Sequence, residues 1–162
     1  RTMILEYQKT HDGAHTPQRA NPSDAGLDVF YSPAGTQALP GKYVAPRESV
    51  ILPTGLKFGV PHGYMLEVKN RSGNAAKKSL LVGACVIDSG YEGEVFINLH
   101  NVGSEPQYVH PGDKIAQVVL IPVVHFRPAE VNGSLYDYPM TISNRGAGAL
   151  GSTDNNTNTK EK

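Results

Sequence analysis

No stretch of this 162-residue chain repeats apolar residues at the i, i+3, i+4 and i+7 spacing of an amphipathic helix. Glycine and proline, with 17 and 12 copies, are spread along the sequence, which is typical of short strands joined by tight turns. A chain of this length has room for a single hydrophobic core. The sequence therefore predicts one all-β domain, a barrel or a sandwich.

Alternating apolar residues locate some of the strands. Residues 64–69 and 94–99 alternate between apolar and polar side chains, as expected where one face of a strand packs on the core. The nearly continuous apolar run at 115–124 is too short to span a membrane, so it predicts a strand buried on both faces and a candidate subunit contact. The residues predicted to face the core are Tyr64, Leu66, Val68, Val95, Ile97 and Leu99.

One short helix and a C-terminal arm complete the predicted organisation. Ser72 is expected to cap a helix over 74–78, because the alanines and lysines there favour helix. From Asn144 onward almost every residue is small, polar or charged, so this stretch cannot form a core of its own. We therefore predict a β-barrel domain over residues 1–143 and a flexible C-terminal arm over residues 144–162.

The charge balance narrows the class of ligand. The chain has 15 basic and 15 acidic residues, whereas proteins that coat nucleic acid or anionic membranes normally carry a basic excess. No apolar run approaches a membrane span, and residues 1–11 lack the apolar stretch of a secretion signal. The single cysteine, Cys85, fits a reducing compartment and, with six scattered histidines, forms no zinc motif. We expect an intracellular protein, cytoplasmic or nuclear, that binds a small ligand and neither membrane nor nucleic acid.

Chemistry is indicated in five segments, at residues 24–28, 70–74, 83–93, 111–117 and 145–153. At 24–28 small residues flank an aspartate at the start of a strand, which taken alone indicates a turn. At 70–74, Arg71, Ser72 and Gly73 open the predicted helix, and a helix N-terminus with an arginine fork suits phosphate. A capped helix with a solvent-facing arginine explains the same residues equally well.

The other three segments also allow two interpretations when each is taken alone. Asp88 ends an apolar run and is a candidate general base, after a hairpin whose backbone can read a base-pair-like edge. An Asp-Ser-Gly turn between two strands is the alternative. Gln117 is polar within an apolar run, and its amide needs a partner in the protein or a ligand. The Gly-rich stretch that begins at Arg145 can wrap a polyphosphate or form a disordered tail.

In their order and spacing these segments resemble the five sequence motifs of trimeric dUTPases. The match runs from about Asp24 to Thr153, in the order of the family. The resemblance implies a jelly-roll-like β-barrel with one short helix and a C-terminal arm that carries the fifth motif. The matching motifs are Ala25-Gly26-Leu27-Asp28, Arg71-Ser72-Gly73, Val86-Ile87-Asp88 with Tyr91 and Gly93, Gly112-Asp113-Lys114-Ile115-Ala116-Gln117, and Arg145-Gly146 with Gly151-Ser152-Thr153.

An activity and an assembly follow from this resemblance. It implies a dUTP diphosphatase that hydrolyses dUTP to dUMP and pyrophosphate by attack of water on the α-phosphate, which limits uracil in DNA and supplies dUMP. It implies a homotrimer with three active sites, each assembled from all three chains. Mg²⁺ is the implied cofactor, and because it keeps its waters and prefers oxygen ligands, the substrate phosphates can hold it.

The resemblance also implies a role for each matching residue. Asp88 would deprotonate the attacking water, Tyr91 would pack on the deoxyribose, and Asp28 would reach the metal through water or support another group. The uracil edge would be bound largely by the backbone of Ala84, Cys85, Val86 and Ile87. The residues expected to contact the phosphates or to close over the substrate are Arg71, Ser72, Gly73, Gln117, Arg145, Leu150, Gly151, Ser152 and Thr153.

Two positions depart from the family pattern and keep alternatives open. Leu150 replaces an aromatic residue that usually stacks on uracil, and Cys85 stands where glycine is frequent. Cys85 either reshapes the base pocket or points into the core. A pyrophosphatase directed at dCTP, or at both nucleotides, is therefore an alternative. A dCTP deaminase is another, although residues 83–87 contain no glutamate for that chemistry. A non-catalytic nucleotide-sensing or protein-binding module is disfavoured by the presence of Asp88 and Arg145.

Overall fold

The computed structural model describes residues 3–35, 40–136 and 145–151. The chain divides into two units, Arg1–His125 and Phe126–Lys162. The predicted boundary between barrel and arm, at residues 143 and 144, lies outside the described residues and stays a prediction. Across the described ranges, no helix is long and apolar enough to cross a membrane.

Short strands make up the first unit, as the glycine and proline pattern predicts, and the described residues contain one helix. The all-β class with a single short helix is therefore confirmed. In chain order the elements are β1 (Glu6–Lys9), β2 (Leu27–Phe30), β3 (Lys42–Val44), β4 (Ser49–Pro53), β5 (Leu56–Gly59), β6 (Tyr64–Lys69), α1 (Ser72–Lys78), β7 (Leu80–Val82), β8 (Val86–Ile87), β9 (Phe96–Asn101), β10 (Gln107–Val109) and β11 (Lys114–Pro122).

Within the described residues the strands pair in four antiparallel sheets. The largest has the order β2-β11-β6-β8, and a three-stranded sheet has the order β4-β9-β7. Two-stranded ribbons, β1-β5 and β3-β10, complete the set. Since sequence neighbours are not sheet neighbours in the four-stranded sheet, segments that lie far apart along the chain meet there side by side.

A single core lies between the inward faces of these sheets. The alternation predicted from the sequence is confirmed, because Leu66, Val68, Val95, Ile97 and Leu99 are all buried in this core, and Tyr64 packs against it partly buried. At typical transfer energies each such side chain contributes about 1.5–3 kcal/mol to stability on burial. These faces fix which side chains of each strand point outward, toward a ligand or another molecule.

Strand β11 differs from its prediction in one respect. It is central in its sheet, but it ends at Pro122, and its outward residues Val119 and Ile121 are only half-buried. The prediction of burial on both faces is therefore wrong for the single chain, because this sheet packs on the core by one face. Its role as a subunit contact stays a prediction.

The helix also begins one position away from its predicted cap. Arg71 is the N-cap, with the extended backbone angles φ −95° and ψ 134°, and Ser72 is already the first helical residue. The expectation that Ser72 caps the helix is wrong, since no side chain bonds the free amides at this end. The left-handed Ser79, at φ 53°, ends this short helix.

Asn101 is a buried polar residue that ties a loop to the core. Its side-chain amide nitrogen donates to the carbonyl oxygens of Val44 at 3.0 Å and Glu105 at 2.8 Å, and its Oδ1 accepts from the amide of Gly103 at 3.0 Å. A buried group with this many backbone partners stabilises the fold mainly because its loss leaves those partners unsatisfied.

Replacing Asn101 with alanine should lower the free energy of unfolding by about 2–4 kcal/mol, because buried backbone groups lose their partners. Urea unfolding followed by circular dichroism measures the change. The exposed Asn132→Ala is the matched control and should leave the midpoint where it is. A loss below about 1 kcal/mol for Asn101→Ala would show that water replaces these bonds.

Candidate functional site

Three of the five chemical segments meet across the four-stranded sheet. Gln117 of β11 lies opposite Asp28 of β2 on one side and opposite Lys69 of β6 on the other. Arg71 follows β6 by two residues. The strand order β2-β11-β6 therefore brings the segments around residues 28, 71 and 117 to one end of the sheet, as the resemblance implies for residues of a shared site.

At this end of the sheet the Asp28 carboxylate binds two cations. Its Oδ1 accepts a hydrogen bond from Nε of Arg71 at 2.9 Å, and its Oδ2 is 3.0 Å from Nζ of Lys114. The Asp28 side chain is 13% exposed, against 30% for Arg71 and 34% for Lys114. Arg71 uses only Nε in this pair, so its two amino groups, which make no other hydrogen bond or ion pair among the described contacts, can bind an anion as a planar fork.

Helix α1 is held against the same cluster. The Asn74 side chain donates to the carbonyl oxygen of Lys114 at 3.0 Å, which ties the first turn of the helix to the start of β11. Ser72 and Gly73 are exposed on the first turn, and apart from its chain neighbours and the helix backbone nothing lies within 4 Å of where a Cβ on Gly73 would be. The segment 71–73 is thus fixed in place at its base and open toward solvent.

Gln117 finds its partner within the protein. Its side-chain amide nitrogen donates to the carbonyl oxygen of Asn70 at 2.9 Å. On its other side Gln117 lies close to Gly26, where an added Cβ would meet Oε1 of Gln117 and displace its side-chain amide. The polar residue in the apolar run therefore ties together the segments that carry Asp28 and Arg71, and it stays half-exposed beside them.

The hairpin around residues 83–88 forms a second cluster on the far side of β6. Strand β8 pairs with β6 only, so its other edge carries no strand partner among the described residues. The carbonyl oxygen of Cys85 accepts from the amide of Val68 at 2.7 Å, which anchors the hairpin. Along an unpaired edge, backbone N–H and C=O groups face outward and can pair with a ligand.

Cys85 itself is exposed. Of the two positions considered from the sequence, the core is therefore wrong for Cys85. Ala84 and Val86 are exposed as well, whereas Ile87 is buried beneath β8. The hairpin thus turns the side chains of residues 84–86 toward solvent and that of Ile87 toward the core, and Cys85 belongs to the solvent side.

Asp88 directly follows β8 and is exposed. Its carbonyl oxygen accepts from the amide of Tyr91 at 3.2 Å, so the segment does form the Asp-Ser-Gly turn considered above, with the carboxylate directed outward. The Tyr91 hydroxyl donates to the carbonyl oxygen of Glu94 at 2.8 Å, and its ring lies over Gly93, where any Cβ would collide with it. Asp88, Tyr91 and Glu94, together with Val86 and Phe96, line a shallow pocket of about 210 Å³.

Asp88 and Arg71 lie toward opposite ends of β6. Ile87 is paired with Leu66, whereas Arg71 lies five residues further along the same chain. Five extended residues span about 17 Å, and Asp88 is directed further away still. One chain therefore does not bring Asp88 and Arg71 to the same phosphate.

The fifth segment belongs to the second unit. Arg145 closes a turn in which its Nε donates to the carbonyl oxygen of Gly148 at 2.7 Å and its own carbonyl oxygen accepts from the Gly148 amide at 3.1 Å. Leu150 is fully exposed with a positive φ of 49°, next to Gly151. Ser152 and Thr153 lie outside the described residues, so their predicted roles stay predictions.

The described residues contain no cluster of three or more His, Cys, Asp or Glu side chains that could hold a metal ion. Both oxygens of Asp28 are already engaged by Arg71 and Lys114, so this carboxylate is poorly suited to bind a metal directly. The donor set of the described residues fits a Mg²⁺ ion carried by phosphate oxygens and water better than one held by a protein cage.

Comparison with known proteins identifies the family. The dUTPase family model matches residues 12–152. The chain belongs to the dUTPase family. Among its relatives, the deoxyuridine 5'-triphosphate nucleotidohydrolase of Gloeobacter violaceus is 40% identical over 139 residues, which are 85% of this chain and 87% of that protein. The protein of the same name from Clostridium acetobutylicum is 36% identical over 151 residues, 92% of this chain and 95% of that protein.

Solved structures share the fold. A mutant dUTPase of Staphylococcus bacteriophage 80alpha with dUpNHpp has a TM-score of 0.73 at 23% identity and covers 94% of this chain and 99% of its own. A mutant dUTPase of phage phi11 of S. aureus, described with a structural Mg(II) ion, has a TM-score of 0.70 at 24% identity. It covers 81% of this chain and 98% of its own. At these identities the likeness supports the dUTPase fold alone.

Sequence reasoning gives no role to Lys114 or Asn74. Both lie within segments singled out above, but their partners are Asp28 and the backbone of β11, which only the strand pairing reveals. A cationic residue next to a Gly-Asp turn is too common a pattern to be informative by itself.

Exposure of Cys85 makes a direct prediction. The native protein should react with Ellman's reagent at a rate within about tenfold of a free thiol, since an exposed cysteine is not protected by packing. One thiol per chain should react, with no further reaction after unfolding in urea, because the sequence contains one cysteine. Reaction only after unfolding would contradict the exposed position.

Proposed function

We propose that this chain is a dUTP diphosphatase, which hydrolyses dUTP to dUMP and pyrophosphate and thereby limits uracil in DNA. The proposal rests on the sequence match to two relatives that are both called deoxyuridine 5'-triphosphate nucleotidohydrolase. They match 85% and 92% of this chain at 40% and 36% identity. The alternatives directed at dCTP are not favoured by these relatives. The single cysteine is consistent with a reducing compartment, so we place the reaction in the cytoplasm or nucleus.

The proposed mechanism uses positioning and charge more than covalent chemistry, as is usual for transfer at phosphorus. Asp88 holds a water molecule and takes its proton as the water attacks the α-phosphorus. Its exposed carboxylate, with no charged partner among the described ion pairs, is available for this role. Tyr91 packs on the deoxyribose at the other side of the same shallow pocket.

Selection of the base rests on the unpaired edge of β8. Fixed backbone donors and acceptors from Ala84 to Ile87 match the hydrogen-bonding edge of uracil, and a base with the wrong pattern leaves buried groups unpaired at a cost of about 1–3 kcal/mol each. The exposed Cys85 lies in this hairpin. Its side chain can alter the width of the pocket while the backbone pattern is unchanged.

The phosphate chain is bound by the cluster around Arg71, which follows β6. Arg71 supplies a charged fork, Ser72 and Gly73 an open first turn, and Gln117 an adjacent amide. Mg²⁺, when bound, neutralises phosphate charge and is held chiefly by the phosphates, with Asp28 supporting Arg71. Arg145, Leu150, Gly151, Ser152 and Thr153 close over the substrate as a lid, which excludes water.

We further propose a homotrimer with sites shared between chains. The separation of Asp88 and Arg71 along β6 supports this, because one chain alone cannot present both to one triphosphate. An outward face of the β4-β9-β7 sheet gives further support: Ile51 is 67% exposed and Phe96 48% exposed, and by register they share this face with Leu81. Apolar side chains in such a position are typical of a surface covered by another subunit.

Release of pyrophosphate from dUTP, dCTP, dTTP and UTP, measured side by side with Mg²⁺, tests the activity. Wild-type protein should hydrolyse dUTP, and Asp88→Asn should lower kcat by about 10²–10⁴-fold with little change in KM, because it removes a general base but not a binding group. Glu92→Gln, four residues away, is the matched control and should keep its kcat.

Hydrolysis of dCTP at a comparable rate would mean that the base pocket accepts cytosine. No release from any of the four nucleotides would overturn the enzyme assignment and favour a binding module. An Asp88→Asn variant with full turnover would remove Asp88 from its assigned role while leaving the activity itself established.

Shared sites predict complementation between inactive variants. Asp88→Asn and Arg71→Met should each be nearly inactive alone. After the two variants are unfolded, mixed in equal amounts and refolded together, about one quarter of wild-type activity should return. An intact site needs Asp88 from an Arg71→Met chain and Arg71 from an Asp88→Asn chain, and each of these two chains is the required variant about half of the time.

Co-refolding each variant with itself is the control and should return no activity. If the mixture also remains inactive while size-exclusion chromatography shows mixed oligomers, Asp88 and Arg71 act from the same chain and the proposed sharing is wrong.

A further inference from the structure

An irregularity in β11 determines where the Lys114 side chain lies. The pairing of β11 with β2 shifts between Lys114 and Ala116, which is the sign of a β-bulge. As a result Ile115 and Ala116 are consecutive residues that are both buried, at 2% and 0% exposure. A regular strand would alternate, and it would place Lys114 on the core side together with Ala116.

The bulge thus rotates Lys114 onto the face that carries Asp28. There Lys114 lies opposite Phe30 of β2, and its Nζ is 6.0 Å from the centre of the Phe30 ring. The same Nζ reaches Oδ2 of Asp28 at 3.0 Å. Bulges often re-aim a side chain beside a functional site, at a cost in regular pairing.

The consequence is electrostatic. With Lys114 in place, two cations and one carboxylate leave the cluster with one net positive charge, and each oxygen of Asp28 has its own partner. Without Lys114 the cluster would be neutral. Oδ2 of Asp28 would then compete for the amino groups of Arg71, because a carboxylate and a guanidinium pair most strongly when both oxygens are used.

We propose that Lys114 is a positioning residue of the phosphate site: it occupies the second oxygen of Asp28, so that the amino groups of Arg71 remain available for the substrate. This inference rests on the proposed function, since it assumes that Arg71 binds the triphosphate. Lys114 acts through Asp28 and Arg71 and does not itself touch the substrate.

Lys114→Met keeps a stem of similar length over Phe30 and removes the charge. It should raise KM for dUTP about tenfold, which corresponds to about 1.4 kcal/mol, with a smaller effect on kcat. Binding of a nonhydrolysable imido analogue of dUTP, measured by calorimetry, should weaken similarly. Binding of dUMP, with a single phosphate, should change much less.

Lys114→Arg should restore most of the loss. Lys42→Met, at an exposed lysine of β3, is the matched control and should behave as wild type.

A second variant separates electrostatics from folding. Asparagine at position 28 keeps an oxygen that can accept from Nε of Arg71 but removes the competing charge. The double variant Asp28→Asn with Lys114→Met therefore regains one net positive charge and should bind the dUTP analogue more tightly than Lys114→Met alone. A merely structural role for Lys114 predicts that the double variant is weaker than either single variant.

Three results would overturn the inference while leaving the proposed function intact: an unchanged KM in Lys114→Met, an equal loss for dUMP and dUTP, or no gain in the double variant. Urea unfolding of each variant shows whether the fold is retained. If wild-type protein releases no pyrophosphate from dUTP, the proposed function fails first and this inference fails with it.

Discussion

The carboxylate of Asp28 joins three segments that are distant in sequence, because β2 supplies the aspartate, β11 supplies Lys114 and the segment after β6 supplies Arg71. A carboxylate that is 13% exposed would be costly to leave unpaired, and two cationic partners offset that cost. The arrangement depends on the strand order β2-β11-β6, which places these elements side by side. Gly26 and Gln117 reinforce it, since Gln117 packs against one segment and bonds to the other.

The same sheet imposes a limit on the single chain. Strand β6 pairs with β11 on one side and with β8 on the other. Arg71 follows the C-terminal end of β6, whereas Asp88 continues β8 past the pairing of Ile87 with Leu66, toward the opposite end of β6. An extended strand is stiff, and no side-chain rotation can close a gap of about 17 Å. Assembly of several copies is then a requirement of the proposed chemistry, and the exposed apolar face of β4-β9-β7 provides a surface for it.

Much of this arrangement follows from the sequence, for reasons that differ between features. Period-two alternation is a local property, so the core residues from Leu66 to Leu99 can be predicted directly. The helix is predictable, but its cap is not, because Arg71 has no side-chain signature of a cap and Ser72 has one. The bulge at Ile115 cannot be predicted, since it depends on the register against β2. Consequently the ion pair of Lys114 with Asp28 cannot be predicted from the sequence either, although both residues lie in recognised motifs.

Cys85 and Leu150, the two departures from the family pattern, differ in their expected effect on base recognition. The proposed recognition of the base by the edge of β8 uses backbone groups, whose positions are set by the pairing of Ile87 with Leu66 and by the hydrogen bond between Cys85 and Val68. A side chain at position 85 points to solvent and leaves these bonds as they are. The pattern of donors and acceptors that would distinguish uracil from cytosine is therefore independent of the cysteine. The loss of an aromatic ring at Leu150 differs in kind, because stacking affects every base alike and changes affinity more than selectivity.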